Sequence, residues 1–212
     1  DSIFEFGLNE GLSTFGGQFE VMSSQKVGPT IADDIKTGAV YSIIFSLIVV
    51  FLYILGRFRK WQFSLGAVVA LVHDVLFVMG IFSLLDGVLP FQLEVDQAFI
   101  AAILTVIGYS LNDTVVVFDR IRENMGSRKA NFLDGVNKSL NQTLSRTFNT
   151  SVTTFFVLLV IFLFGGEVIR GFMFALLLGV LVGTYSSLFI ATPVMFDAIK
   201  KECENVKKNV GL

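Results

Sequence analysis

The chain has 212 residues, of which 53% are hydrophobic and only 16% charged, and its formal net charge is −2 at pH 7. Soluble domains carry about 25% charged residues, so the composition points to a membrane protein, and the weakly acidic balance excludes a basic nucleic-acid binder. A single cysteine, Cys203, permits neither an intrachain disulfide nor a cysteine-based metal site, and a single histidine, His73, excludes a multi-histidine zinc centre.

The chain opens on Asp1-Ser2-Ile3-Phe4-Glu5, which has no basic start and no apolar core behind it, so no cleavable signal peptide is read there. The expectation is a start inside a larger protein. Residues 1–37 then form the end of an external, periplasmic domain and a lead-in to the membrane. Gln18-Phe19-Glu20-Val21 suits the last strand of an external α+β domain, and Gly28-Pro29 marks a turn before a helix.

A membrane helix needs about 20 mostly apolar residues. Five segments qualify: 38–56, 64–85, 97–118, 147–164 and 168–196. The predicted fold class is an all-α polytopic membrane protein, with a five-helix transmembrane domain over 38–196 and a cytoplasmic tail over 197–212. Lys and Arg orient it, because cytoplasmic loops are enriched in both. Thirteen of the 16 basic residues fall after span one, after span three or in the tail, leaving only Lys26, Lys36 and Arg170 opposite. The pattern places the N-terminal side outside and the C-terminus in the cytoplasm. Between spans three and four, Ala130, Phe132, Leu133, Val136 and Leu140 have the spacing of a short amphipathic helix on the inner surface; a simple connector fits equally well.

An ionised group at the bilayer centre costs about 2.5–3.5 kcal/mol on insertion scales. Asp113 lies in span three, on a polar run from Thr105 to Thr114. Thr105, Tyr109 and Asp113 stand at i, i+4 and i+8 and are expected to share a face, flanked by Ser110 and Asn112. This stripe fits either a carboxylate that takes up and releases protons or a helix-to-helix hydrogen bond. Arg146 opens span four; Asn149 or Thr150, and Thr153, continue its face. It reads either as ordinary cytoplasmic flanking charge or as a cation within reach of Asp113. His73-Asp74 lies in span two. Adjacent residues point to different faces, so the two are not read as a catalytic dyad. Asp74 is a second candidate acid, and His73 reads more readily as a packed, hydrogen-bonded side chain. Gly179 and Gly183 form a GxxxG pattern that permits close helix packing. No nucleophile–base set, phosphate loop or metal cluster is present in the sequence, so no enzymatic activity, cofactor or metal is expected.

These residues resemble the SecF family, the smaller half of the SecD–SecF protein-export complex. The resemblance is carried by Val27-Gly28-Pro29-Thr30, by Val72-His73-Asp74-Val75, by the long run Ile107-Gly108-Tyr109-Ser110-Leu111-Asn112-Asp113-Thr114 through Asp119-Arg120-Ile121-Arg122-Glu123-Asn124, and by Ser145-Arg146-Thr147. It covers roughly residues 18–200 and extends to the RND transporter superfamily. It implies an RND-like membrane half that pairs with SecD, separate or fused, and works with the SecYEG channel, indirectly with the SecA ATPase, on preprotein substrates. It also implies use of the proton-motive force at the inner membrane, with Asp113 and Arg146 in the proton pathway and Asn112, Asp74 and His73 as further candidates. No nucleic acid is expected as a partner, and membrane lipids surround the bundle. A SecF-like protein has a first membrane helix and an external domain before Val27; neither is complete in this sequence, and residues 1–17 match no part of the pattern. The competing readings are half of an RND-type exporter of lipids or small molecules, and a purely structural translocon subunit.

Overall fold

The computed structural model describes residues 29–91, 93, 95–125 and 132–210. The expected strand at 18–21 and the first residues of the amphipathic stretch lie outside that set. The described residues form helices α1 (Pro29–Phe58), α2 (Trp61–Leu85), α3 (Gln97–Met125), α4 (Phe132–Phe164), α5 (Glu167–Ser186) and α6 (Thr192–Val210), with a π-helical turn at Ser187–Ala191 joining the last two. Five stretches are long and apolar enough to cross a membrane: Lys36–Phe58, Trp61–Leu85, Gln97–Met125, Phe132–Phe164 and Glu167–Glu204. The protein is an all-α, multi-pass membrane protein.

The helices outrun the predicted spans. Phe132 to Phe164 is one helix, so the amphipathic stretch is not a separate surface helix but the first turns of α4. Apart from Val136, its buried positions, Gly135, Ser139, Thr143, Thr147 and Ser151, recur every four residues and form one ridge of small side chains. Ser139 and Thr143 hydroxyls return to the carbonyls four residues back, at 2.6 and 3.0 Å, and Ser139 Oγ also accepts from Asn124 Nδ2 of α3 at 2.7 Å.

The connections are short and locally determined. α1 ends at Arg59, whose φ of 57° is left-handed, and Arg59 N donates to Leu55 O at 2.8 Å; Lys60 is extended and α2 begins at once. Asp96 Oδ1 accepts from Phe99 N at 2.7 Å and caps α3. Gly165 turns the chain between α4 and α5, where any Cβ would collide with the Ile161 carbonyl and the Ile169 side chain.

α3 is central and packs against α2, α4 and α5, while α2 also packs on α5, the π turn and α6. Gly179 and Gly183 make the α3–α5 seam tight. A Cβ on Gly179 would overlap the Val106 methyls, and one on Gly183 would sit 2.9 Å from Ser110 Cβ. Among its described residues α1 buries Val50, Ile54 and Phe58, one face at four-residue spacing. Phe58 stacks on Phe63 at 5.1 Å, and both meet Phe118 edge-on. Beside this cluster Arg57 pairs with Asp119 at 2.8 Å, Arg120 donates to Gln142 Oε1 at 2.7 Å, and Gln62 bonds Glu202. The basic helix ends are thereby gathered at one end of the bundle.

Candidate functional site

α3 presents Ser110, Asp113 and Thr114 to the bundle interior, all buried. Asp113 does face inward, but the predicted stripe is corrected in its membership. Thr105 is exposed and donates to its own helix at Ala101 O, 2.7 Å away. Asn112 is exposed. Tyr109 is half-buried with its hydroxyl unpaired among the described residues. The inward face at 3.6 residues per turn runs through Val106, Ser110, Asp113, Thr114 and Val117, so that Asp113 is the one member of the Thr105, Tyr109, Asp113 line that is buried.

Asp113 meets α4 through a hydroxyl that α5 contacts in turn. Ser151 Oγ stands 3.4 Å from Asp113 Oδ2 and 2.9 Å from Thr147 O. Thr184 Oγ1 donates to Ser151 Oγ at 2.6 Å. Thr147, one turn from Ser151, has a buried hydroxyl without a partner among the described residues. Arg146 makes no ion pair among the described residues. Arg146, Asn149 and Thr153 are all exposed and lie on one outer face of α4. The two polar stripes of spans three and four therefore do not meet inside this chain: one faces in, the other faces out.

Asp74 is fully buried on α2. Ser110 Oγ of α3 donates to its Oδ2 at 2.7 Å, and Ser186 Oγ of α5 donates to the same oxygen at 2.8 Å. His73 Nδ1 lies 3.2 Å from Asp74 Oδ1. The two residues do point to different faces, since His73 is 36% exposed and Asp74 is not exposed at all. They are nonetheless in contact, because an imidazole is long enough to fold back along its own helix. Beyond Ser186, Ser187 Oγ lies 2.9 Å from Thr114 Oγ1 and 2.8 Å from Gly183 O. Two intramembrane carboxylates thus flank one α3–α5 seam, each held by hydroxyls.

The sequence matches the model of the family described as "Protein export membrane protein SecD/SecF, C-terminal" over residues 8–201. The chain belongs to that family. It is 60% identical over 181 residues to a protein translocase subunit SecF of Rhodothermus marinus, covering 85% of this chain and 58% of that protein. A protein translocase subunit SecF of Haemophilus influenzae is 44% identical over 198 residues, with 93% and 59% covered. The chain therefore spans somewhat more than half the length of such relatives. Among solved structures it is similar to SecDF of Thermus thermophilus, a translocon-associated membrane protein, with TM-score 0.72, 40% identity, and 82% of this chain and 23% of that one covered. A SecDF structure in a super-membrane-facing form gives TM-score 0.75 at 35% identity, covering 94% and 27%. The five-helix membrane bundle is that of a SecD/SecF-family membrane domain.

In this SecD/SecF-family chain the partners of the two acids, Ser151, Thr184, Ser110 and Ser186, were not singled out as site residues from sequence. A signal for them existed. Serine and threonine recur at four-residue spacing from 139 to 151, and Thr184, Ser186 and Ser187 interrupt an otherwise apolar helix.

Proposed function

We propose that the chain is the membrane part of a SecF-type subunit that pairs with a SecD half and uses the proton-motive force to assist Sec-dependent protein export. One observation carries this reading: an outward-facing polar ridge, Arg146-Asn149-Thr153, on a helix that must lie in the membrane beside a buried Asp113. A charged ridge facing lipid is costly, so it belongs against another membrane protein. Half a site on this chain, completed by a second membrane half, is what a SecD–SecF pairing provides. Proteins named protein translocase subunit SecF among the relatives, and SecDF among the solved structures, support the same partner.

In this reading Asp113 takes and gives up the proton. Ser151 stands beside it. Arg146 stabilises the carboxylate in one conformation and leaves it in another, and Asn112 shares the outer surface. An acid buried within a membrane span defaults to function. The chain acts on preproteins together with SecYEG and, indirectly, SecA, as a motor subunit rather than an enzyme. It sits in the bacterial inner membrane with the Phe58 end of the bundle and the 197–212 tail in the cytoplasm, and residues 1–37 outside.

The test is Asp113→Asn in the complete complex, reconstituted with an imposed proton gradient. Assembly is expected to persist and gradient-dependent export to be lost. Wild-type proton flux and export in the variant would leave only a structural subunit.

A further inference from the structure

The turn between α1 and α2 carries charge that the fold does not use. It joins two membrane-length helices, Lys36–Phe58 and Trp61–Leu85, and so lies at a membrane surface. Four cations belong to it and to the neighbouring end of α3: Arg57, Arg59, Lys60 and Arg122. Two acids reach the same place, and both are engaged. Asp119 takes Arg57 at 2.8 Å and Arg122 at 3.4 Å, and Glu202 of α6 accepts from Gln62. Arg59 and Lys60 are exposed and make no ion pair among the described residues. Arg59 also stands where the chain is left-handed, at φ 57°, closing α1 with its N–H on Leu55 O. Glycine ordinarily takes that position, since a side chain there strains the backbone. A charge that served only to orient the helices could sit on a neighbouring residue without strain. The Arg59 guanidinium is therefore kept at this point against the preference of the backbone.

We infer that Arg59 and Lys60 hold the phosphate of an anionic phospholipid whose acyl chains lie along the lipid-facing side of α2. α2 begins at Trp61 with no capping side chain and no acid in its first turn. The amides of that turn are open to an anion, and the positive end of the helix dipole adds to the two cations. Trp61 is exposed, and an exposed indole suits the headgroup level, where its N–H meets water and its ring lies on hydrocarbon. Below it Val69, Val72 and Leu76 are exposed at eight, eleven and fifteen residues from Trp61, one apolar stripe running down α2 into the bilayer. A soluble anion would have no use for that stripe. Gly56, exposed on the last turn of α1, has nothing within 4 Å of where a Cβ would stand and leaves room for a headgroup beside Arg57. The guanidinium fork takes two phosphate oxygens and the lysine a third. The headgroup must be net negative, because the surplus cations repel the ammonium of a zwitterionic lipid. The placement needs only two spans and the turn between them, so it depends on neither Asp113 nor the export reading. In the orientation proposed above, the turn meets the cytoplasmic leaflet, whose anionic lipids attract Lys and Arg next to a membrane span.

The experiment uses the full-length protein with its partner half, purified in detergent and supplied with dioleoyl phosphatidylglycerol or dioleoyl phosphatidylcholine. Native mass spectrometry should find several-fold more phosphatidylglycerol than phosphatidylcholine retained. Arg59→Gly is the informative variant, because glycine suits the left-handed turn better than arginine does. Its complex should melt no lower than wild type in phosphatidylcholine, yet retain the two lipids equally. Lys60→Ala should lose part of the preference. Lys200→Ala removes the same charge from an exposed position on α6 at the same end of the bundle and should keep the preference whole. Equal retention of the two lipids by wild type, or an undiminished preference in Arg59→Gly, would overturn the site. A loss in Lys200→Ala as large as that in Arg59→Gly would overturn it too, leaving only diffuse attraction to a basic surface. Inorganic phosphate should leave the retained lipid in place; displacement by phosphate alone would replace the lipid with a soluble anion.

Discussion

Ser151 Oγ has one proton and two acceptors, Asp113 Oδ2 at 3.4 Å and Thr147 O at 2.9 Å. The nearer carbonyl takes the bond in this conformation, so the contact with Asp113 is long and ready to tighten. Thr184 Oγ1 lies 2.6 Å from Ser151 Oγ and 2.7 Å from Val180 O; when its one proton goes to Ser151, the serine's own proton is left to choose. An ordinary hydrogen bond contributes about 0.5–1.5 kcal/mol, more when its acceptor is charged. Ser151→Ala in the complete complex should therefore keep assembly, lower gradient-driven export several-fold and move its pH profile. A profile identical to wild type would make Ser151 a packing residue only.

Arg146 is exposed and unpaired within the described chain. Exposed substitutions away from structural features usually change stability by less than about 0.5 kcal/mol. Arg146→Ala should accordingly leave the thermal stability of the purified chain nearly unchanged while reducing export at least tenfold in the complex. Arg146→Lys should retain more activity if charge alone matters. Equal losses in the two would point to the guanidinium's planar geometry. A large stability loss in the isolated chain would contradict the outward placement.

The composition and the length of the apolar runs were enough to read five helices, because bilayer thickness imposes both. Asp113 and Asp74 stood out for the same reason, being acids within those runs. Side-chain direction was less legible. Thr105 and Asp113 lie close to one helical line, yet packing against Gly179 and Gly183 rotates α3 so that Val106 and Ser110 face inward and Thr105 does not. A helix carrying polar groups on more than one side does not announce which side is the interior; the neighbouring helix decides. The length of α4 was missed because residues 132–146 are polar, and polarity ends a membrane span without ending a helix. The His73–Asp74 contact was missed because residue spacing describes Cβ directions and not the reach of an imidazole.

The α3–α5 seam gives a packing prediction. Gly179 admits Val106 so closely that any added Cβ would overlap its methyls. Overpacking of this kind costs about 1–3 kcal/mol. Gly179→Ala should lower the melting temperature of the purified protein, and Val106→Ala in the same chain should recover part of the loss by making room. The pair is in contact, so the double variant should be more stable than the sum of the single effects. Strict additivity would show that α5 shifts away from α3 rather than clashing at Val106.

The Phe58 end of α1 separates two kinds of interaction that lie side by side. Arg57 and Asp119 form an ion pair at 2.8 Å with side chains 38% and 31% exposed, and exposed pairs are worth about 0–1 kcal/mol. Phe58 is buried, stacks on Phe63, meets Phe118 edge-on and carries the guanidinium groups of Arg57 and Arg122 each 5.4 Å from its ring centre. Removing a buried phenylalanine costs about 3–5 kcal/mol. Among the described residues of α1 the buried ones are Val50, Ile54 and Phe58, so its attachment there rests largely on that ring. Phe58→Ala should release α1 from the bundle, seen as faster amide exchange across its C-terminal turns and a lower melting temperature. Asp119→Asn should change neither by much. If Asp119→Asn proves as damaging as Phe58→Ala, the ion pair and not the aromatic cluster holds α1 to α3.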